Sequence, residues 1–157
     1  MIIIADSSPL VALALCDCLD ILDALFGEVR ISQAVYEEVT VGNKAGSVKL
    51  AHYLQNKVKE VDIDLHIIGG DTIDKGELTS IALYKRLNAD YLLIDEKAGR
   101  KIAQINQVKI IGSLGVLIEA KRKNMIPLLN PYIEILRTSK THFSEELLNY
   151  ALTAVGE

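Results

Sequence analysis

The sequence contains no tryptophan, two phenylalanines and six tyrosines in 157 residues. Its core must therefore be filled by Ile, Leu, Val and Ala, the residues that layered α/β packing uses. Histidine is equally sparse. His52, His66 and His142 lie in unrelated contexts, and no serine sits on a strand–elbow–helix pattern, so a Ser/His/Asp nucleophile is a poor reading. Cys16 and Cys18 stand one residue apart. That spacing is neither the C-x-x-C of redox proteins nor a zinc knuckle, and two reduced thiols of a cytoplasmic protein are expected. No run approaches the ~20 apolar residues of a membrane span. The amino terminus lacks a basic segment and its apolar run is broken by Asp6, which argues against a signal peptide. Without low-complexity tracts, internal repeats or linkers, residues 1–157 read as a single domain long enough to bury a real core. Nor is positive charge in excess. The formal net charge is −4, which does not advertise a nucleic-acid binder.

What is present begins with the first ten residues. Ile2, Ile3, Ile4 and Ala5 form an apolar run without polar alternation, the pattern of a short strand buried on both faces. Asp6 ends that run. Ser8 followed by Pro9 reads as a helix N-cap and first helical position. Asp6 is thus expected at the carboxyl end of a buried strand beside a helix start, where open parallel α/β sheets build their sites.

Further along, hydrophobic spacing predicts helices over 9–14 and 18–26, the second closed by Gly27, and a strand over 28–31. Ser32 caps the next helix. Gly42, Asn43, Lys44 and Gly46 make a loop, and 47–57 is amphipathic. Its stripe of Leu50, Ala51, Tyr53 and Leu54 serves either packing on its own sheet or a dimer face. A strand is expected within 58–68, with Leu65 and Ile67 around His66 suggesting an edge strand. Asp74 or Thr72 caps a helix to Asn88, and 91–94 is a buried strand ending in Asp95. The helix over 96–107 should turn Ala98, Ile102, Ala103 and Ile105 inward and expose Lys97, Arg100 and Lys101. A strand over 108–111 and a helix from Gly112-Ser113 to Lys123 follow. Two further helices, within about 127–154, close the chain. Strands alternating with helices predict an α/β fold: a mainly parallel sheet of about five strands with helices on both faces.

Four acids stand out. Asp6 and Asp95 each end a buried strand. On a helical wheel Ala34, Val35 and Val39 define the inward stripe, and Glu38 falls within it whereas Glu37 does not. Glu77 opens the helix that precedes the Asp95 strand. If those two strands are adjacent and parallel, the carboxylates gather at one sheet edge, where close like charges raise one another's pKa. An oxygen-rich acidic cluster suits Mg²⁺ or Mn²⁺. Each acid also has a local reading. Asp95 fits a helix N-cap, and Glu77 lies three residues after Asp74, a capping-box spacing. Glu38 fits a snorkelling surface residue and Asp6 a solvated turn residue.

The ordered set Ile4-Ala5-Asp6-Ser7-Ser8-Pro9-Leu10, Ala34-Val35-Tyr36-Glu37-Glu38-Val39, Gly76-Glu77 through Ile81-Ala82, and Leu92-Leu93-Ile94-Asp95-Glu96 resembles the PIN domain. It is closest to the small prokaryotic PIN-like proteins ending in a Gly-x-Leu-Gly-Val-Leu helix, here Gly112 to Leu117. The resemblance implies a metal-dependent endoribonuclease that cleaves single-stranded RNA phosphodiesters, often as the toxin of a type II toxin–antitoxin pair. Asp6, Glu38, Glu77 and Asp95 match the acidic quartet that holds Mg²⁺ or Mn²⁺ and carries catalysis. Ser7 matches the hydroxyl residue after the first acid, and Glu96 is a candidate outer ligand. The third acid is usually Asp in the toxins and is Glu77 here. A homodimer and a small antitoxin are the implied protein partners. Lys97, Arg100, Lys101 and Ser113 are candidates for the RNA backbone, and Lys121-Arg122-Lys123 is a second basic group. The alternative function is a non-catalytic PIN-like module that binds RNA or protein. A receiver-like or phosphatase-like domain would need a functional Lys and Thr at strand ends, and that set is missing.

Overall fold

Five short parallel strands carry the chain. β1 is Ile2–Ala5, β2 Glu28–Ser32, β3 Val58–Lys59, β4 Tyr91–Leu93 and β5 Ile110–Ile111. The computed structural model describes residues 1–42, 44, 46–64, 66–140 and 143–157. Asn43 of the expected loop, Leu65 beside His66, and His142 lie outside the described residues. The strand order is β3-β2-β1-β4-β5, with every pairing parallel. From β1 the chain winds outward through β2 and β3. It then returns to the other side of β1 with β4. The direction of winding therefore reverses between β1 and β4, and a crevice opens at their carboxyl ends.

Helices fill the connections. α1 (Ser7–Leu15) and α2 (Asp20–Phe26) follow β1, and α3 (Gln33–Thr40) and α4 (Ser47–Leu54) follow β2. α5 (Lys75–Leu87) leads into β4 and α6 (Lys97–Ile105) joins β4 to β5. α7 (Ser113–Arg122), α8 (Asn130–Thr138) and α9 (Glu145–Ala154) end the chain. The residues that stop and start them are those with the right local chemistry. Ser32, Asp74 and Ser144 accept hydrogen bonds from the third backbone N–H beyond them. Gly27 ends α2 at a φ of 87°, which a side chain would resist.

The alternation along the strands sorts the core into two layers. Ile3, Ala5, Val29, Ile31 and Leu93 face a layer that includes α1, α4, α7 and α8. Ile4, Leu92 and Ile94 face α5 and α6. Each of these large aliphatics is at most 1% exposed. Burial at that level contributes roughly 1.5–3 kcal/mol per side chain, which is why runs without polar alternation fold as central strands.

Three expectations change, and one open alternative is resolved. Asp6, not Ser8, is the N-cap residue of α1, which starts at Ser7. Pro9 is accommodated because it still lies in the first turn, where its missing N–H costs no helical bond. The edge strand is β3 at Val58–Lys59, and His66 is exposed outside any strand. α6 turns Gly99, Ile102 and Ala103 inward and leaves Ala98 and Ile105 exposed. Leu50 and Leu54 are fully buried in the chain's own core, while Tyr53 donates its hydroxyl to Asp23 at 2.7 Å.

Candidate active site

Asp6 is placed by two elements at once. Its N–H donates to Leu93 O at 2.9 Å, tying the end of β1 to β4. Its extended backbone starts α1, yet its side chain makes no capping bond. The residue is 3% exposed. Asp6 follows Ile2 and Ile4 in strand alternation, so its carboxyl falls on the α5 side of the sheet.

There it meets the start of α5. Asp74 and Glu77 form a capping box: Glu77 N–H donates to Asp74 Oδ1 at 2.8 Å, and Asp74 N–H to Glu77 Oε2 at 3.1 Å. Gly76 lies between them. A Cβ on Gly76 would stand 2.8 Å from Glu38 Oε2, 3.4 Å from Asp74 Oδ1 and 3.6 Å from Asp6 Oδ1. Carboxylate oxygens from three elements thus surround one point, and only a residue without a side chain leaves it open. Glu38 reaches this point from α3. It is exposed as a residue, but its Oε2 accepts from the Ser7 hydroxyl at 2.7 Å. Glu37 points elsewhere and accepts from Gln33 on its own helix at 3.2 Å. The wheel's choice of Glu38 matches this placement.

The electrostatics follow from crowding. Burial pushes the Asp6 carboxyl up to about 7, with the charges of Glu77, Asp74 and Glu38 adding to it and the Ser7 backbone N–H opposing it. Glu77 is also raised, first by burial, then by Asp74, Glu96 and Glu38, against the bond from Asp74 N–H. Its second oxygen lies against α6, where a Cβ on Gly99 would stand 2.9 Å from Oε1.

Asp95 occupies the same sheet edge and meets a different helix start. The register pairs Ala5 with Leu93, which brings Asp6 level with Ile94 and leaves Asp95 one residue further, pointing toward α7. Ser113 donates its N–H to Asp95 Oδ1 and its hydroxyl to Oδ2, both at 2.8 Å. Burial raises the Asp95 carboxyl; the two Ser113 bonds and the charge of Arg100 oppose it. Asp95 therefore serves the start of α7 rather than that of α6, whose N-cap residue Glu96 makes no capping bond. Glu96 is exposed and accepts from the Ser8 hydroxyl at 3.3 Å.

Of the residues predicted to face RNA, Lys97 and Lys101 are exposed. Both line a cavity of about 1320 Å³ that also takes in Glu38, Asp95 and Glu96. Arg100 lines it too, but its guanidinium donates to Ile94 O at 2.7 Å. Ser113 is placed differently from expectation: it is fully buried and its hydroxyl is committed to Asp95. Sequence reading missed Asp74 as a member of the carboxylate group, because its capping role already accounted for it. The available signal was the Asp74-Lys75-Gly76-Glu77 spacing, with a glycine where a helix has no need of one.

Among the described residues, no three acids, histidines or cysteines are grouped closely enough to hold a metal ion as they stand. The chemistry of the donors nevertheless suits one. The three atoms nearest a Cβ on Gly76 are all carboxylate oxygens, Asp6 is buried among like charges, and no ion pair joins Asp6, Glu38, Asp74 or Glu77 to a cation among the described residues. A hard divalent cation would supply the missing charge.

No helix of the described residues is long and apolar enough to cross a membrane. A family model described as a PIN domain matches residues 2–157. No curated protein matches the chain.

Proposed function

The chain belongs to the PIN domain family, whose members are generally nucleases, and from that premise we propose a metal-dependent endoribonuclease acting on single-stranded RNA. The observation that carries this reading is the ring of Asp6, Glu38 and Asp74 oxygens around Gly76. It lies at the carboxyl edge where the winding of the sheet reverses.

In this reading Asp6, Glu38, Asp74 and Glu77 hold Mg²⁺ or Mn²⁺ on one side of the edge, and Asp95 faces the substrate on the other. When bound, the cation polarises a phosphate oxygen and lowers the pKa of a water. The chain's own residues do the rest. Ser7 orients Glu38, and Ser113 fixes the Asp95 carboxylate by both oxygens. The Asp74–Glu77 box holds the α5 start rigid. Lys97 and Lys101 line the adjoining cavity and attract the phosphate backbone. The net charge of −4 is compatible, because much of the acidity is concentrated where a cation offsets it.

The test is cleavage of labelled single-stranded RNA with Mg²⁺ or Mn²⁺ by the wild type beside Asp6→Asn and Asp95→Asn. Cleavage by the wild type and loss in both variants is expected. Equal cleavage by all three would sink the site. A second reading, a non-catalytic module that binds RNA or protein, is favoured by the lack of a three-ligand group among the described residues and by the bonds that already occupy Glu77 and Asp95. Absence of metal binding by calorimetry decides for it. The role of toxin silenced by a small antitoxin, and assembly as a homodimer, belong to the same proposal. Mass measurement by light scattering, alone and with a co-expressed neighbouring small protein, tests both.

A further inference from the structure

The cavity beside Asp95 is lined not only by Glu38, Asp95 and Glu96 but also by Phe143, Leu147 and Tyr150, from α9 and the segment before it. α9 is anchored by Leu148 and Ala151, which are buried at 1% and 0%. The same helix holds Tyr150 at 67% exposed and Leu147 at 45%. Tyr150 thus presents an uncovered ring on a fixed support, in a chain with eight aromatic residues in all. The hydrogen bonds of the described residues include none to its hydroxyl. Lys97, Arg100, Lys101 and Lys140 line the same cavity, and none of them is in an ion pair among the described residues.

Rings that share a cavity with the exposed Lys97, Lys101 and Lys140 suit a polyanion with flat apolar faces. An apolar protein segment would use the rings and leave the cations uncompensated. A backbone-only binder would use the cations and leave the rings in water. Single-stranded RNA uses both, because phosphates pair with Lys and Arg while bases stack on aromatic faces regardless of identity.

We propose that Tyr150, with Phe143 of the same cavity, is a base-stacking platform for a nucleotide flanking the cleaved bond, with Lys97 and Lys101 holding the phosphates. This rests on the ribonuclease reading of the acidic edge, and it adds a binding subsite that sets where along the strand cleavage falls. Because stacking is indifferent to base identity, the platform selects unpaired strands over duplexes without reading sequence.

The test uses the full chain carrying Asp6→Asn, so that the strand stays intact. Binding of a labelled single-stranded RNA octamer is compared with that of the same octamer made abasic, before and after Tyr150→Ala and Tyr150→Phe. The expected result is roughly tenfold weaker binding of the intact octamer after Tyr150→Ala. Little change is expected for the abasic strand, and recovery with Tyr150→Phe. Equal affinity for intact and abasic strands, or no effect of Tyr150→Ala while Lys97→Ala and Lys101→Ala weaken binding, overturns the platform and leaves the aromatic residues to a protein partner. Absence of RNA binding overturns it as well. If RNA binds as expected but the wild type does not cleave with added metal, the platform stands and the nuclease reading fails.

Discussion

Ser113 holds Asp95 by both carboxylate oxygens, its N–H on Oδ1 and its hydroxyl on Oδ2, each at 2.8 Å. The pair joins the end of β4 to the start of α7 in a place where Ser113 is fully buried. Ser113→Ala removes the hydroxyl bond and keeps the N–H bond. A bond to a charged group contributes about 1.5–3 kcal/mol, so urea unfolding at neutral pH should show a loss near the lower figure. Cleavage should fall with it, because Asp95 is then free to turn. Unchanged stability would mean that the carboxylate is not held as described.

Asp6→Asn should separate stability from function. The change removes a buried negative charge that Glu77, Asp74 and Glu38 already oppose. Without added metal, the variant is expected to melt at a higher temperature than the wild type at neutral pH while losing cleavage. A lower melting temperature would show that Asp6 is stabilised by a partner.

The pH dependence follows from the same residue. Folded Asp6 keeps its proton up to about pH 7, whereas the unfolded chain releases it near 3.8. Between those values the native state binds more protons than the unfolded one. Stability of the metal-free protein therefore falls as pH rises across that window, by at most about 1.4 kcal/mol per unit for one group, and levels off above it. Glu77 and Asp95 are raised too and act with the same sign. Urea unfolding with a chelator across this range should show the decline. Added Mn²⁺ should stabilise more at pH 8 than at pH 5.

Gly76→Ala probes the open point among the carboxylates. The new methyl would meet Glu38 Oε2 at 2.8 Å, and Glu38 is the far end of a flexible, exposed side chain that can swing away. Stability should therefore change by less than about 1 kcal/mol, since Ala also favours helix over Gly. Metal affinity, read by calorimetry, should drop at least tenfold. Unchanged affinity would place the cation elsewhere.

Glu77→Gln distinguishes cap from ligand. A glutamine at this position still accepts the Asp74 N–H and keeps the box. Stability is expected to stay within about 0.5 kcal/mol, whereas Glu77→Ala should cost about 1 kcal/mol as caps do. A fall in metal affinity with Gln, at constant stability, assigns the charge of Glu77 to the site. Full affinity leaves it as a cap.

Much of this architecture was legible before any coordinates. The Ile2–Ala5 run without polar alternation marked a buried strand, and Ser32 and the Thr72–Asp74 pair marked helix starts, because these signals are local. The phase of α6 was not legible. Hydropathy ranks Ala98 and Ile105 above Gly99, yet Gly99 faces inward because Ile94 Cδ1 and Glu77 Oε1 leave no room for a side chain there. The edge strand was misplaced for a similar reason. β3 is two residues long, too short for any period to show.

The sequence by itself determined most of the elements and the order of the acids along the chain, since each follows from spacing along one strand or one helix. Only the tertiary structure decided how the acids divide. Placing β4 beside β1 brings Asp6 and Asp95 to one edge, but each meets a different helix start there, Asp6 near Gly76 and Asp95 bound by Ser113. It also decided that Asp74 joins Asp6 and Glu38. That meeting depends on three segments far apart in the chain, and no local pattern records a distance between them.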